Sequence, residues 1–79
     1  MSPKADAIFY VQSEAKQLAE ESDNSERQIR YNRALAALGA IKSFLSDDEY
    51  KELLNTVEVA NSNSVAKVLR AASDEAARR

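Results

Sequence analysis

The sequence predicts an all-α fold: a small antiparallel helical bundle of three to four helices, forming a single domain over residues 1–79. Three observations support this. The chain has only one glycine and one proline, which leaves little of the turn chemistry that sheets need. Strong helix formers such as Ala, Glu, Leu, Arg and Lys are abundant. Apolar residues recur at helical spacing between polar segments that are typical of helix caps.

The first helix is predicted over residues 3–21. Ser2 supplies a capping hydroxyl, and Pro3 suits the first helical position because its missing N–H would be unpaired there anyway. The helix should stop in the polar segment 22–25, Ser-Asp-Asn-Ser, since such side chains compete for backbone hydrogen bonds.

Five consecutive apolar residues, AIFYV at 7–11, cannot all face one core because each helical residue turns by about 100°. Angular placement puts Ile8 and Val11 on the core face and Phe9 at its edge. Tyr10 falls on a strip predicted to face solvent, together with Glu14, Gln17 and Glu21. Phe9 and Tyr10 are therefore candidates for a partner-binding edge, and an ordinary surface tyrosine is the alternative for Tyr10.

The second helix is predicted over residues 26–45, with Ser25 and Gln28 as a capping box. Residues 34–45, ALAALGAIKSFL, form the most apolar stretch of the chain. A helix that is apolar on most sides is typically central, so helix 2 is expected in the middle of the bundle. Its apolar excess also makes a homodimer plausible.

A second capping box, Ser46 with Glu49, sets the start of a third helix over residues 47–60. The next four residues, Asn-Ser-Asn-Ser at 61–64, are poor helix formers and predict a break. A fourth helix over 64–78 would then bury Val65, Val68, Leu69 and Ala72. The apolar stripe also continues through the break, so one long helix remains an open alternative.

Composition argues against an enzyme. The chain has neither Cys nor His, which removes disulfides, thiolate nucleophiles and the commonest general base. A single glycine cannot form a phosphate-binding loop, so no cofactor is expected. The densest acidic group, at residues 47, 48, 49 and 52, is explained by helix capping and predicts no metal site.

Three arginines, Arg27, Arg30 and Arg33, recur at i, i+3 and i+6 beside Tyr31 and complete the set of candidate partner-binding residues. The simplest interpretation is pairing within the chain, since an antiparallel hairpin brings the acids at 20, 21 and 23 close to them. The alternatives are an acidic partner surface and a nucleic-acid phosphate. Three arginines among nearby acids form only a weak basic patch, which makes nucleic acid the weaker of these two.

We therefore expect a non-enzymatic protein-binding module, a regulator or inhibitor that occupies a surface of a larger protein. Small helical proteins of this kind are often encoded by phages or plasmids, which is an analogy of class only. A self-assembling structural homo-oligomer is the first alternative, and a weak nucleic-acid binder using Arg27, Arg30 and Arg33 is the second. No membrane partner is expected and a cytoplasmic location is the default, because no apolar run approaches about 18 residues.

Overall fold

The computed structural model describes residues 2–78, which form three α-helices and one short 3₁₀ helix. These elements are α1 (Pro3–Glu20), α2 (Asn24–Ile41), the 3₁₀ helix (Lys42–Phe44) and α3 (Asp47–Ala77). The described residues contain no strand, so the predicted all-α bundle is confirmed. No helix among them is long and apolar enough to cross a membrane.

The contacts at the two ends of the bundle define its topology. Lys4 at the start of α1 lies 2.9 Å from Glu49 at the start of α3. Ser64 of α3 meets Glu21 at the other end of α1, so α1 and α3 run parallel. Arg27 at the start of α2 binds Asn61 in the second half of α3, and α2 is therefore antiparallel to both.

Eight buried apolar residues form the core, contributed by all three α-helices: Val11, Ala15, Leu18, Ala34, Leu38, Leu53, Val57 and Ala60. The prediction that helix 2 is central is wrong, because α2 buries only two side chains whereas α1 and α3 bury four each. Four of the apolar residues of α2 are alanines, at positions 34, 36, 37 and 40. A surface alanine such as Ala36 or Ala40 exposes so little apolar area that nothing needs to cover it.

The predicted caps of α1 and α3 are confirmed. The Ser2 hydroxyl accepts the Ala5 N–H at 3.2 Å. Ser46 Oγ accepts the Glu49 N–H at 3.1 Å, and Glu49 Oε1 accepts the Ser46 N–H at 2.8 Å, which completes the capping box. These contacts pair N–H groups that have no partner within the helix.

Both ends of α2 differ from the prediction. Asp23, not Ser25, caps the helix, and its Oδ2 accepts the Glu26 N–H at 2.9 Å. A carboxylate at this position also interacts favourably with the positive end of the helix dipole, which a hydroxyl does not. The α-helix stops at Ile41 rather than residue 45, because the chain tightens into the 3₁₀ helix and returns Leu45 to the core edge.

The predicted break at 61–64 is absent, and α3 is one helix of 31 residues. Ser64 is fully buried, and its hydroxyl donates to the Glu21 carbonyl at 2.6 Å. Asn61 Oδ1 accepts from Arg27 Nη1 at 2.8 Å. Four weak helix formers cost roughly 2 kcal/mol in propensity. The hydrogen bonds from Ser64 to Glu21 and from Arg27 to Asn61, the second of them charge-assisted, together stabilise the helix by about the same amount.

Beyond Ser64 the helix projects past α1 and α2, and we call residues 65–77 the α3 extension. Val65 and Val68 are half-buried, whereas Leu69 is 64% exposed and Ala72 is exposed. The prediction that a fourth helix buries all four residues is therefore wrong for Leu69 and Ala72. The other two helices do not reach far enough to cover them.

The Ser64 contact can be tested with Ser64→Ala. We expect the free energy of unfolding to fall by about 1 to 3 kcal/mol, since the partly buried Glu21 loses the donor to its carbonyl. Urea denaturation followed by circular dichroism measures this. Ser62→Ala, an exposed serine two residues away, is the control and should change little. Equal stability of the two variants would contradict this role for Ser64.

Acid should weaken the start of α3. The Ser46 N–H and the Lys4 ammonium hold the pKa of Glu49 below its ordinary value of 4.5. Because the folded pKa is the lower one, the ionised carboxylate contributes stability above pH 4.5 and loses it as the pH falls through the folded pKa. Glu49→Gln should therefore be less stable than the parent at pH 7, and the difference should shrink at pH values well below 4.5. Glu52→Gln is the exposed control, and urea titrations across this range provide the measurement.

Candidate functional site

An elongated concave surface lies between the parallel helices α1 and α3, and no residue of α2 lines it. It consists of two adjoining cavities of about 150 and 250 Å³, which share Gln12 and Thr56 in their linings. We call them together the α1–α3 groove. Its remaining lining residues are Ile8, Ala15, Lys16 and Ala19 from α1, and Glu49, Glu52, Leu53, Val59, Ala60 and Asn63 from α3.

The groove has an apolar floor and a polar border. Ala15, Leu53 and Ala60 are buried, and the small alanines let the two helices approach closely. Val59 is 50% exposed and lies among polar neighbours on the border. Glu52 lines one half of the groove and Lys16 the other, so opposite charges mark its two ends. Such an arrangement can accept an elongated apolar segment and fix its direction.

The two aromatic candidates lie on different sides of α1. Phe9 is 65% exposed, more than the predicted position at the core edge implies. It precedes Gln12 and Lys16 by three and seven residues, so it extends the outer border of the α1–α3 groove. Tyr10 is 53% exposed, in agreement with the sequence prediction, and is not among the residues that line the groove.

The three arginines are not equivalent. Arg30 Nη1 donates to Gln17 Oε1 at 2.8 Å, and its Nε lies 3.6 Å from Glu21 Oε2, so the predicted pairing within the chain occurs at this residue. Arg27 instead donates to the amide oxygens of Asn24 and Asn61. Arg33 is exposed and makes no hydrogen bond or ion pair within residues 2–78. A continuous basic patch is therefore absent from the described part of α2.

Tyr31 is part of the α2–α3 contact. Its hydroxyl donates to Glu58 Oε1 at 2.6 Å. That hydrogen bond raises the pKa of Tyr31, because it is lost when the phenol ionises next to the carboxylate. The partly buried ring packs against the core, so this candidate has a structural role in the free protein.

The predicted solvent strip on α1 is wrong at Glu14. Its side chain is only 7% exposed, and its Oε2 has no hydrogen-bond partner among the described residues. The Gln17–Arg30 pair sets the register of the antiparallel helices α1 and α2. One turn earlier on α1, Glu14 therefore lies level with Ala34, which is also buried.

Within residues 2–78, no group of three or more acidic side chains is arranged to hold a metal ion. Comparison with known proteins provides no relative: no protein-family model matches the chain, and no curated protein or solved structure matches it significantly.

The sequence predictions missed the α1–α3 groove because it depends on which helices are parallel. Val59 falls outside the helical spacing of the buried α3 residues Leu53, Val57 and Ala60, so periodicity does not mark it. A signal existed in the pattern of Ala15 and Ala19 on one helix and Ala60 on the other, since small residues permit close helix approach. That pattern cannot be interpreted without the pairing of α1 with α3.

The buried carboxylate at Glu14 should cost stability. We expect Glu14→Met, which fills the space with an apolar chain of similar length, to raise the free energy of unfolding at pH 7 by about 1 to 2 kcal/mol. Thermal and urea denaturation measure the change. Glu14→Gln keeps the shape and a polar end group, so its free energy of unfolding should rise by less than that of Glu14→Met. A Glu14→Met protein less stable than the parent would mean that the carboxylate is stabilised by a partner group.

Proposed function

We propose that this chain is a non-enzymatic protein-binding module, a small regulator or inhibitor that occupies a surface of a larger protein. The observation that supports it is the α1–α3 groove, with its apolar floor, exposed Val59 and polar border. We place the module in the cytoplasm, because a small chain without cysteine is typical of a reducing compartment.

The occupant we propose is an amphipathic helix of the partner. On α1 the groove extends from Ile8 to Ala19, which corresponds to about 17 Å along a helix axis. Three helical turns of a partner fit this length, and a helix laid between α1 and α3 would cover Val59 and the floor together. The exposed ring of Phe9 would add an aromatic contact at the border.

The charges of the groove suggest the direction of that helix. Glu52 calls for a basic partner residue at one end, and Lys16 for an acidic one at the other. Glu49 contributes less because Lys4 already lies 2.9 Å from its carboxylate. Charges at a border select orientation and partner more than they add affinity.

Site-specific crosslinking with the full chain tests the groove. A photoreactive amino acid at Val59 should give one discrete adduct with a larger protein in cells of the source organism. The same group at Ile29 is the matched control, because the two residues are 50% and 51% exposed and Ile29 is not among the groove residues. Equal labelling from both positions, or no adduct from Val59, would contradict the proposal.

A second pair of variants measures the contribution of the groove to affinity. Once crosslinking has identified the partner, Val59→Glu should weaken its binding at least about tenfold, because a carboxylate would have to be desolvated against the apolar floor. Ile29→Glu should bind like the parent. Both substitutions lie at half-exposed positions, so both proteins should keep their helical circular dichroism.

Self-assembly remains a second candidate, favoured by the exposed apolar face of the α3 extension. Nucleic-acid binding has weaker support. Arg27 and Arg30 are already engaged by side chains of the same chain, which leaves Arg33 as the free cation of the predicted cluster within residues 2–78.

A further inference from the structure

We propose that the α3 extension pairs in antiparallel orientation with the same segment of a second copy of this chain. This contact lies beyond the end of the bundle. It leaves the α1–α3 groove open and does not depend on the function proposed for the groove. Three features of the extension support it: an apolar stripe that is half-buried at Val65 and Val68 and exposed from Leu69 onward, a gradient of side-chain size and a division of charge along the helix.

The stripe consists of five residues at i, i+3, i+4, i+7 and i+11, which lie on one face of a helix: Val65, Val68, Leu69, Ala72 and Ala76. A single exposed leucine is ordinary on a protein surface. Here, however, the stripe begins where the buried face of α3 ends, since Val57, Ser64 and Val68 are spaced at i, i+7 and i+11. The extension thus carries a core face with no helix of its own chain beside it.

The position of the stripe determines the orientation of the second copy. The α3 helix of a second copy, packed on this stripe, would lie in the space that α1 and α2 would occupy if they were longer. In a parallel pair, the second bundle would occupy the space already filled by α1 and α2. In an antiparallel pair the bundles lie at opposite ends. The second α3, which ends at Ala77, then fits the length of the extension, about 20 Å for 13 residues.

Side-chain sizes also favour the antiparallel pair. The large residues of the stripe lie next to the bundle and the alanines lie far from it. Antiparallel pairing places Val65 opposite Ala76 of the second copy and Leu69 opposite Ala72. Large side chains then meet small ones along the whole contact, which keeps the spacing of the helices even. Parallel pairing would set leucine against leucine and leave a gap between the alanines.

Charge along the extension follows the same division. Lys67 and Arg70 lie in the half nearer the bundle, and Asp74 lies in the far half with Glu75. Antiparallel pairing brings each basic half beside the acidic half of the second copy. Exposed Arg78 would come level with Asn63 of the second copy, near the exposed carboxylate of Asp23 in its α1–α2 connection. These solvated charges set orientation and add little affinity.

Two helices in contact over about 20 Å form an interface smaller than the standard size for stable complexes. We therefore expect a dissociation constant on the order of 10 to 100 µM. Sedimentation equilibrium from about 5 µM to about 500 µM should show the mass rise from one chain to two. A parent protein that remains monomeric at the highest concentration would overturn the proposal.

Leu69→Asp should remain monomeric over the same range, because it places a carboxylate in the centre of the contact. Leu69 is 64% exposed in the free chain, so this variant should keep its helical circular dichroism. Val59→Glu is the matched control, a charge introduced at an exposed apolar residue of the same helix, and should dimerise like the parent. Dimerisation of Leu69→Asp with the affinity of the parent would also overturn the proposal.

Engineered thiols test the orientation, since the natural chain has no cysteine. A mixture of Val65→Cys and Ala76→Cys proteins should form the mixed disulfide on mild oxidation, and each protein alone should form little dimer. Their Cα atoms approach within disulfide range only in the antiparallel pair. Disulfides of Val65→Cys with itself as the main product would indicate a parallel pair and overturn the proposed geometry.

Discussion

The hydrogen bond from the Ser64 hydroxyl to the Glu21 carbonyl is the contact on which the shape of this protein depends. The last carbonyls of α1 lack donors within their own helix, and a fully buried serine on α3 supplies one. The bond from Arg27 to Asn61 lies less than one turn earlier on α3 and secures the same stretch. Together they keep α3 helical through its weakest sequence. The α3 extension therefore continues straight beyond the bundle. The same continuity keeps Val59, Ala60 and Asn63 of α3 in the lining of the groove.

The parallel pairing of α1 and α3 links the two candidate surfaces. Ala15 and Ala60 are buried between the two helices and line the second half of the groove. Helix α3 then continues into the extension, where the face that is buried within the bundle has no neighbouring helix. A partner in the groove and a second copy on the extension would contact different faces and different lengths of α3. Each could bind without displacing the other.

The sequence predicted what local chemistry controls. Ser2, Ser46 and Glu49 cap their helices because the pairing of first-turn N–H groups involves only near neighbours in sequence. Val11 is buried as its periodicity predicted. Helical continuity through Ser64 was undecided from sequence, because its hydrogen-bond acceptor comes from α1. The groove was missed for the same reason, since Val59 acquires its surroundings only when α1 lies beside α3.

The seam between α1 and α2 explains why a small core tolerates polar residues. Gln17 and Glu21 both contact Arg30, and this arginine can satisfy them only at one register of the two helices. If the contact between α1 and α2 were purely apolar and rich in alanine, a shift of α2 by one helical turn along α1 would change the free energy little. α2 also binds α3 through Arg27 and Tyr31. The register between α1 and α2 therefore also fixes the register of α1 relative to α3. The contacts of Arg30 with α1 add little stability, but they fix the orientation of α1 about its axis. In that orientation Ile8 and Ala19 line the groove beside α3.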